Sequence, residues 1–410
     1  YQTTIGAHHH RSGRGTEKIS LPAGVRPVPE LFHAAGYWTC IGDGLAEAAE
    51  GRPRRRGAAA LGKTDYNFAW DEAMYDAEDW AGRRPGQPFF MQVMLPGGKL
   101  RDGRNGLAQV TAAAVREFGA ATRPEDVTLP PYLSRDPALL ADQAAYLDAV
   151  RLTDAHVGRV LARLEQEGLL DETLIVFMTD HGISHVRAKQ FLYDAGTHVP
   201  LVIRGPRVPR GAVREDLVEH IDVPALSLAA AGLVRPAGMQ GRDVLAGDYR
   251  PRDAVFAARD RCDETVDRIR SVRTDRYLYI RNFHPDRPHL QPNLYKDKKP
   301  TIEALRRLHD AGRLEPLTER LLFAPTRPRE ELYHYTEDPW QLHDLAGDPA
   351  HAAALEEHRR RLDGWMAASR DPGPEPAAMY DSDMQVYVGS GNPELEANIA
   401  TMKRWAAEGR

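Results

Sequence analysis

The chain has 410 residues, of which 42% are hydrophobic and 28% charged, with a formal net charge of -5. That length supports a large core plus a smaller second unit. The acidic balance gives no reason to expect a nucleic-acid partner, and no apolar run reaches the ~18 residues that a spanning helix needs. Two cysteines, Cys40 and Cys262, match no zinc pattern, and spacing does not decide whether they pair. The chain opens at Tyr1 in what reads as mid-domain sequence, so any targeting segment is expected upstream. The compartment stays open, with the periplasm or the outside of the cell favoured. The oligomeric state is not legible.

In chain order, Pro29 to Ala35 reads as a short helix closed by Gly36, with proline at its start and glycine past its end. Tyr37 to Ile41 is a strand, and the Arg-rich patch Arg52 to Arg56 reads as a solvated loop rather than a polyanion site. Pro88 to Leu95 is a buried strand running into Pro96-Gly97-Gly98-Lys99. The longest helix is expected from Pro137 to Gly168, capped by Ser134 or Asp136. Leu140, Ala144, Leu147, Val150, Asp154, Val157, Leu161 and Leu164 recur at three- and four-residue spacing and predict its core face. Leu174 to Met178 is an unbroken apolar run, the pattern of a parallel strand buried on both faces. It ends at Thr179, followed by two possible metal ligands, Asp180 and His181, and a turn at Gly182. A loop carrying Lys189 and His198 leads to a second strand, Val199 to Ile203, and His220 to Pro224 opens an apolar helix.

Past a boundary placed near residue 250, strands are expected at 254–258, 269–273 and 277–280, the last two joined by a Thr274-Asp275-Arg276 turn. Helices follow at 350–368 and 393–405. The charged run Arg259 to Arg268 suits either a ligand cleft or ion pairing within the sheet. The fold expectation is α/β: a doubly wound, mainly parallel sheet flanked by helices over 1–250. A smaller α+β subdomain with an antiparallel sheet occupies 251–410. Ligands of open α/β sheets bind beyond the carboxyl ends of strands, which puts the site at Asp180-His181.

The string Asp180-His181-Gly182, a lysine nine positions after Asp180, then LYDAGTHVP resembles the sulfatases of the alkaline phosphatase superfamily. Within it the spacing is closest to the heparan N-sulfatase (sulfamidase-like) members. Residues 1–15, Gly62 to Asp65 and 331–346 are similar to other segments of that family. The resemblance implies an alkaline-phosphatase-like fold and Asp180 and His181 as metal ligands. Lys63 and Lys189 would act on the sulfate as catalytic and binding groups, and His198 and Lys99 would bind substrate. Lys99 stands where the family usually has a histidine, and Asp65 where many members have one. The implied metal is Ca²⁺, with Mn²⁺ or Zn²⁺ as alternatives because His181 is an awkward calcium ligand.

The family's Cys-x-Pro-Ser-Arg nucleophile, converted to formylglycine, matches neither Cys40 nor Cys262. A fragment lacking nucleophile and first strand, itself inactive, is therefore expected. The implied activity is hydrolysis of a sulfate ester or sulfamate, with a sulfated small molecule or saccharide as partner. Two alternatives stand beside it: a phosphonate monoester or phosphodiester hydrolase of the same superfamily, and a non-catalytic binder of sulfated glycans. His8, His9 and His10 diverge too much as loop neighbours to hold one ion together; a structural or substrate-rim role is expected.

Overall fold

The computed structural model describes residues 1–45, 64–103, 105–206, 208–388 and 391–410. The patch 52–56 and Lys63 lie outside these residues. Helix α1 (Val28–Ala34) leads into strand β1 (Trp38–Gly42), which pairs in parallel with β2 (Phe89–Val93), Trp38 opposite Phe89. Helix α2 (Gly106–Phe118) packs on the 30-residue α3 (Pro137–Gln166). Asp136, not Ser134, caps α3: its carboxylate accepts from Ala138 N at 2.9 Å. Strand β3 (Ile175–Met178), the single turn α4 (Asp194–Thr197), β4 (Leu201–Arg204) and α5 (Asp222–Ala230) follow.

The second part opens with β5 (Val255–Arg259), β6 (Ile269–Arg273) and β7 (Tyr277–Asn282), then helices α6 (Leu294–Asp297), α7 (Pro300–Asp310) and α8 (Pro316–Thr318). Strand β8 (Glu330–His334) completes an antiparallel sheet in sequence order, with helix α9 (Ala352–Ala368) against it. Helices α10 (Ala377–Met384) and α11 (Pro393–Ala407) close the chain. The mixture of helices and sheets is the expected α/β class. No helix among the described residues is long and apolar enough to cross a membrane.

Two expectations need correction. Strand β3 is neither parallel to its partner nor buried on both faces. It pairs antiparallel with β4, Met178 opposite Leu201, and Met178 is 41% exposed. The reason is the connection: a parallel pair needs a crossover, and the chain from β3 folds back on itself with only one helical turn. The predicted core face of α3 holds only in part: Ala144 and Leu164 are buried, the middle of the face is not. Val150, Asp154, Val157 and Leu161 look into a cleft of about 3350 Å³ that β2 and β3 also line. The other side of α3 is buried and carries Asp142 and Asp148. Arg101 Nε donates to Asp142 at 3.0 Å, Thr301 Oγ1 donates at 2.9 Å, and the His185 imidazole bonds the same carboxylate. Two buried carboxylates are tolerated there because their lone pairs are filled.

The four-stranded sheet is packed on both faces. Phe191, Leu192 and Tyr193, from the connection between β3 and β4, bury against Ile269, Leu278, Ile280 and Tyr333. On the other face Leu355, Leu362 and Trp365 of α9 cover Val272, Tyr279 and Leu332, with Trp365 stacked on Phe256 at 5.2 Å. Each such buried side chain contributes roughly 1.5–3 kcal/mol. The segment bearing the candidate site is thereby fastened to the second part of the chain.

Candidate active site

The backbone after β3 is held by two close approaches. A Cβ on Gly182 would lie 1.7 Å from the Ala195 carbonyl oxygen, and one on Gly196 would lie 2.4 Å from that of Phe191. Gly182 N donates to Gly196 O at 3.0 Å. The two glycines of the DHG and AGTH segments let those loops lie against each other, which fixes the direction of Asp180 and His181.

His181 Nδ1 lies 2.8 Å from the Gly182 carbonyl, an acceptor only, so that nitrogen carries the proton. Its Nε2 faces Asp180 Oδ2 at 3.1 Å. In that tautomer both of those atoms offer lone pairs toward the same point. A metal-ligating histidine usually donates its other ring N–H to a carbonyl in this way, so the pair fits a divalent ion. Burial alone would raise the Asp180 carboxyl, but the His181 hydrogen bond and charge, then Lys99 and Lys189, hold it well below the usual carboxylate range.

Lys189 Nζ lies 3.4 Å from the Tyr295 hydroxyl and 4.6 Å from the centre of its ring, and Lys299 sits 4.4 Å from the same ring centre. Burial would raise the Tyr295 phenol; Lys189, a hydrogen bond with Ser184 and Lys299 lower it overall. Behind it the buried Lys296 Nζ donates to the carbonyls of Lys189, at 2.6 Å, and His185, at 3.2 Å, bracing the loop. Lys99 lies in the short helical turn after β2 (Gly97–Arg101) and lines the cleft with Asp180 and His181. His198 lines it too, but its Nδ1 is engaged by Asp194 Oδ2 and the Tyr335 hydroxyl, both at 3.2 Å.

The sequence reading passed over several groups around these. His220 lines the cleft, burial lowers its basicity, and Asp180 and His181 both act on it. Tyr295 sits under Lys189. Tyr295 carries no periodic or motif signal, and His220 reads only as part of the HIDVP string that opens a helix. Asp222 of the same HIDVP string is a buried brace: it accepts from Glu219 N at 2.9 Å and Arg242 N at 2.7 Å, and pairs with Arg252. The charged run 259–268 resolves as ion pairing. Arg259 and Arg327 share Asp267, and Arg261 pairs with Glu375 and Asp383. Cys40 and Cys262 are free and buried. Burial, then Asp79 and Asp76, push the Cys40 thiol up to about 12, and burial raises Cys262. Neither is an available nucleophile.

Comparison with known proteins adds the following. The family profile described as Sulfatase matches residues 2–233, and that of the N-sulphoglucosamine sulphohydrolase C-terminal region matches 181–321. An ulvan-active sulfatase of Formosa agariphila is 32% identical over 413 residues, spanning 90% of this chain and 65% of the relative. Human N-sulphoglucosamine sulphohydrolase is 29% identical over 290 residues, 67% of this chain and 56% of the relative. The chain thus spans about two thirds or less of the length of these relatives. Among solved structures, one in complex with D-glucosamine-2-N,6-O-disulfate aligns with a TM-score of 0.52 at 16% identity, covering 91% of this chain and 88% of the other. A phosphonate monoester hydrolase of Agrobacterium radiobacter aligns at 0.54 and 16%, covering 90% and 84%. At such identities these two likenesses show the fold.

Proposed function

Because the chain belongs to the sulfatase family, we propose that it is the metal- and sulfate-binding part of a hydrolase acting on a sulfate ester or sulfamate of a sulfated sugar. The names of both relatives support a sulfated-sugar substrate, and neither points to a phosphonate. The observation that carries the reading is the Asp180–His181 pair at the end of β3, 3.1 Å apart, in a cleft that Lys99 also lines. Asp180 Oδ2 and His181 Nε2 would hold a divalent ion, Ca²⁺ first and Mn²⁺ or Zn²⁺ next. When bound, such an ion neutralises charge on the sulfuryl oxygens.

Lys189 is aimed by Tyr295 and by the carbonyl brace from Lys296, so its ammonium is fixed before the anion arrives. Lys99 adds a second positive charge from the opposite loop. A lysine is a weak proton donor at neutral pH unless its pKa falls, so Lys99 is assigned to anion binding. Lys63 retains its expected role at the sulfate within this proposal. His198 is assigned to the rim, since Asp194 and Tyr335 occupy its Nδ1. The division into 1–250 and 251–410 belongs to the same reading: β5 to β8 form a separate sheet, on which the loop after β3 is seated.

The test is calorimetric titration of inorganic sulfate into the chain with and without calcium. Calcium-dependent binding that vanishes in Asp180→Ala is expected; calcium-independent or absent binding would sink the reading. On the full-length gene product, sulfate-ester turnover should exceed phosphonate-ester turnover.

A further inference from the structure

The residues assigned to the metal and the anion hold charge; none delivers a proton. A sugar oxygen or nitrogen that departs from sulfur as an anion is a poor leaving group, so hydrolysis needs a positioned acid. Lysine is a weak one at neutral pH, and His198 is engaged at the rim. A pair of hydroxyls lies beside the cleft. Ser184 follows Asp180 by four residues, lines the cleft and is 7% exposed. Its Oγ lies 3.4 Å from the Tyr295 hydroxyl, 111 residues further along the chain.

Two anchors fix the pair. Lys296, the neighbour of Tyr295 in α6, donates from Nζ to the carbonyls of His185 and Lys189, so the residues next to each hydroxyl are tied together. Lys189 N donates to Ile183 O at 3.0 Å, which closes the Ser184 loop on itself. The order of donors follows from the groups. The Lys189 ammonium can only donate, so the Tyr295 oxygen accepts from it at 3.4 Å. The phenol O–H is then left for Ser184 Oγ, and the serine O–H is left for the cleft. Both contacts are long, and catalytic hydrogen bonds tighten once substrate is bound. Lys189 and Lys299 lie 4.6 and 4.4 Å from the phenol ring centre, and Lys299 pairs at 2.7 Å with Asp102, just past the Gly97–Arg101 turn. Burial and Asp102 oppose ionisation of the phenol, but Lys189, Ser184 and Lys299 lower its pKa overall.

We propose that Tyr295 and Ser184 form the proton relay of the reaction: Tyr295 supplies the proton, and the Ser184 hydroxyl passes it to the leaving atom. The inference rests on the sulfatase reading and goes beyond it, since Lys99, which stands where the family usually has a histidine, is left to bind the anion. As sulfur gains a bond to the attacking oxygen and loses its bond to the sugar, the electron pair of the broken bond stays on the sugar oxygen or nitrogen. That atom takes the Ser184 proton while Ser184 takes the Tyr295 proton. The phenolate left behind faces the ammonium groups of Lys189 and Lys299 and takes a proton from water once the sugar departs.

The experiment uses the full-length gene product and measures turnover and sulfate affinity separately for Tyr295→Phe, Ser184→Ala and the double variant. The substrates are 4-nitrophenyl sulfate, phenyl sulfate and D-glucosamine-2-N,6-O-disulfate, in order of increasingly basic leaving group. Each single variant should keep sulfate affinity within about threefold and lose kcat by an amount that grows along the series, from under about tenfold to about a hundredfold. A relay fails as a unit, so the double variant should be no more than about threefold worse than either single one. Losses that multiply in the double variant, losses equal across the substrates, or a drop in sulfate affinity as large as that in kcat overturn the relay. Ser184→Ala against the same substrates carries the test should Tyr295→Phe fail to fold. A wild type that turns over none of the three sulfates overturns the sulfatase reading instead, and the relay falls with it.

Discussion

The two halves of the molecule invert the usual relation between polarity and burial. Around the cleft, apolar strand residues are open: Val93, Met94, Met178 and Val202 are 36% to 60% exposed. In the four-stranded sheet and the helices that cover it, Arg261, Arg270 and Arg287 are among the largest fully buried side chains. Arg270 pairs with Asp260 at 3.0 Å and Asp371 at 2.6 Å, and Arg261 has Glu375 and Asp383. Burial is tolerated there because Arg261 and Arg270 find carboxylates and Arg287 donates to the carbonyls of Val266 and Arg410, since an unpaired buried charge is expensive. Around the cleft it is decided by strand edges and by what the connection from β3 allows.

If that contrast is right, the largest effect comes from removing a buried arginine. Arg270→Ala leaves Asp260 without its ion-pair partner and Asp371 with only Arg268, at 3.6 Å, and should destabilise by about 3–5 kcal/mol, read from the denaturant midpoint. Asp142→Asn is next, at about 2–3 kcal/mol at neutral pH, from bonds to charged groups. The buried Asp142 carboxyl is held well below its ordinary 3.8 by the His185 hydrogen bond and charge and then Arg101, against the upward push of burial. Its folded pKa is depressed, so its contribution is complete above the unfolded value and is lost as pH falls below it. The gap between wild type and Asp142→Asn should therefore shrink as unfolding is followed from pH 5 to pH 2.

Lys189→Ala should weaken calcium-dependent sulfate binding by ten- to a hundredfold, with Lys99→Ala smaller, because Lys189 is braced from two sides. Equal effects would remove the distinction drawn between the two lysines. The smallest effect belongs to the exposed face of β4: Val202→Thr, at a 60% exposed strand position, should change stability by no more than about 0.5 kcal/mol. A loss above 2 kcal/mol would show that the open apolar surface is covered in solution.

Local sequence determined much of this protein. Periodicity and caps gave α3, α9 and α11, the Thr274-Asp275-Arg276 turn gave the β6–β7 hairpin, and the string from Asp180 to Pro200 gave the family. Those features depend on neighbours a few residues apart, and each local preference agrees with the fold. Tertiary structure alone decided which face of α3 is buried, because hydrophobic spacing is silent about carboxylates whose partners come from residues 101, 185 and 301. It alone placed Tyr295 and Lys296 behind Lys189, across a hundred residues of chain.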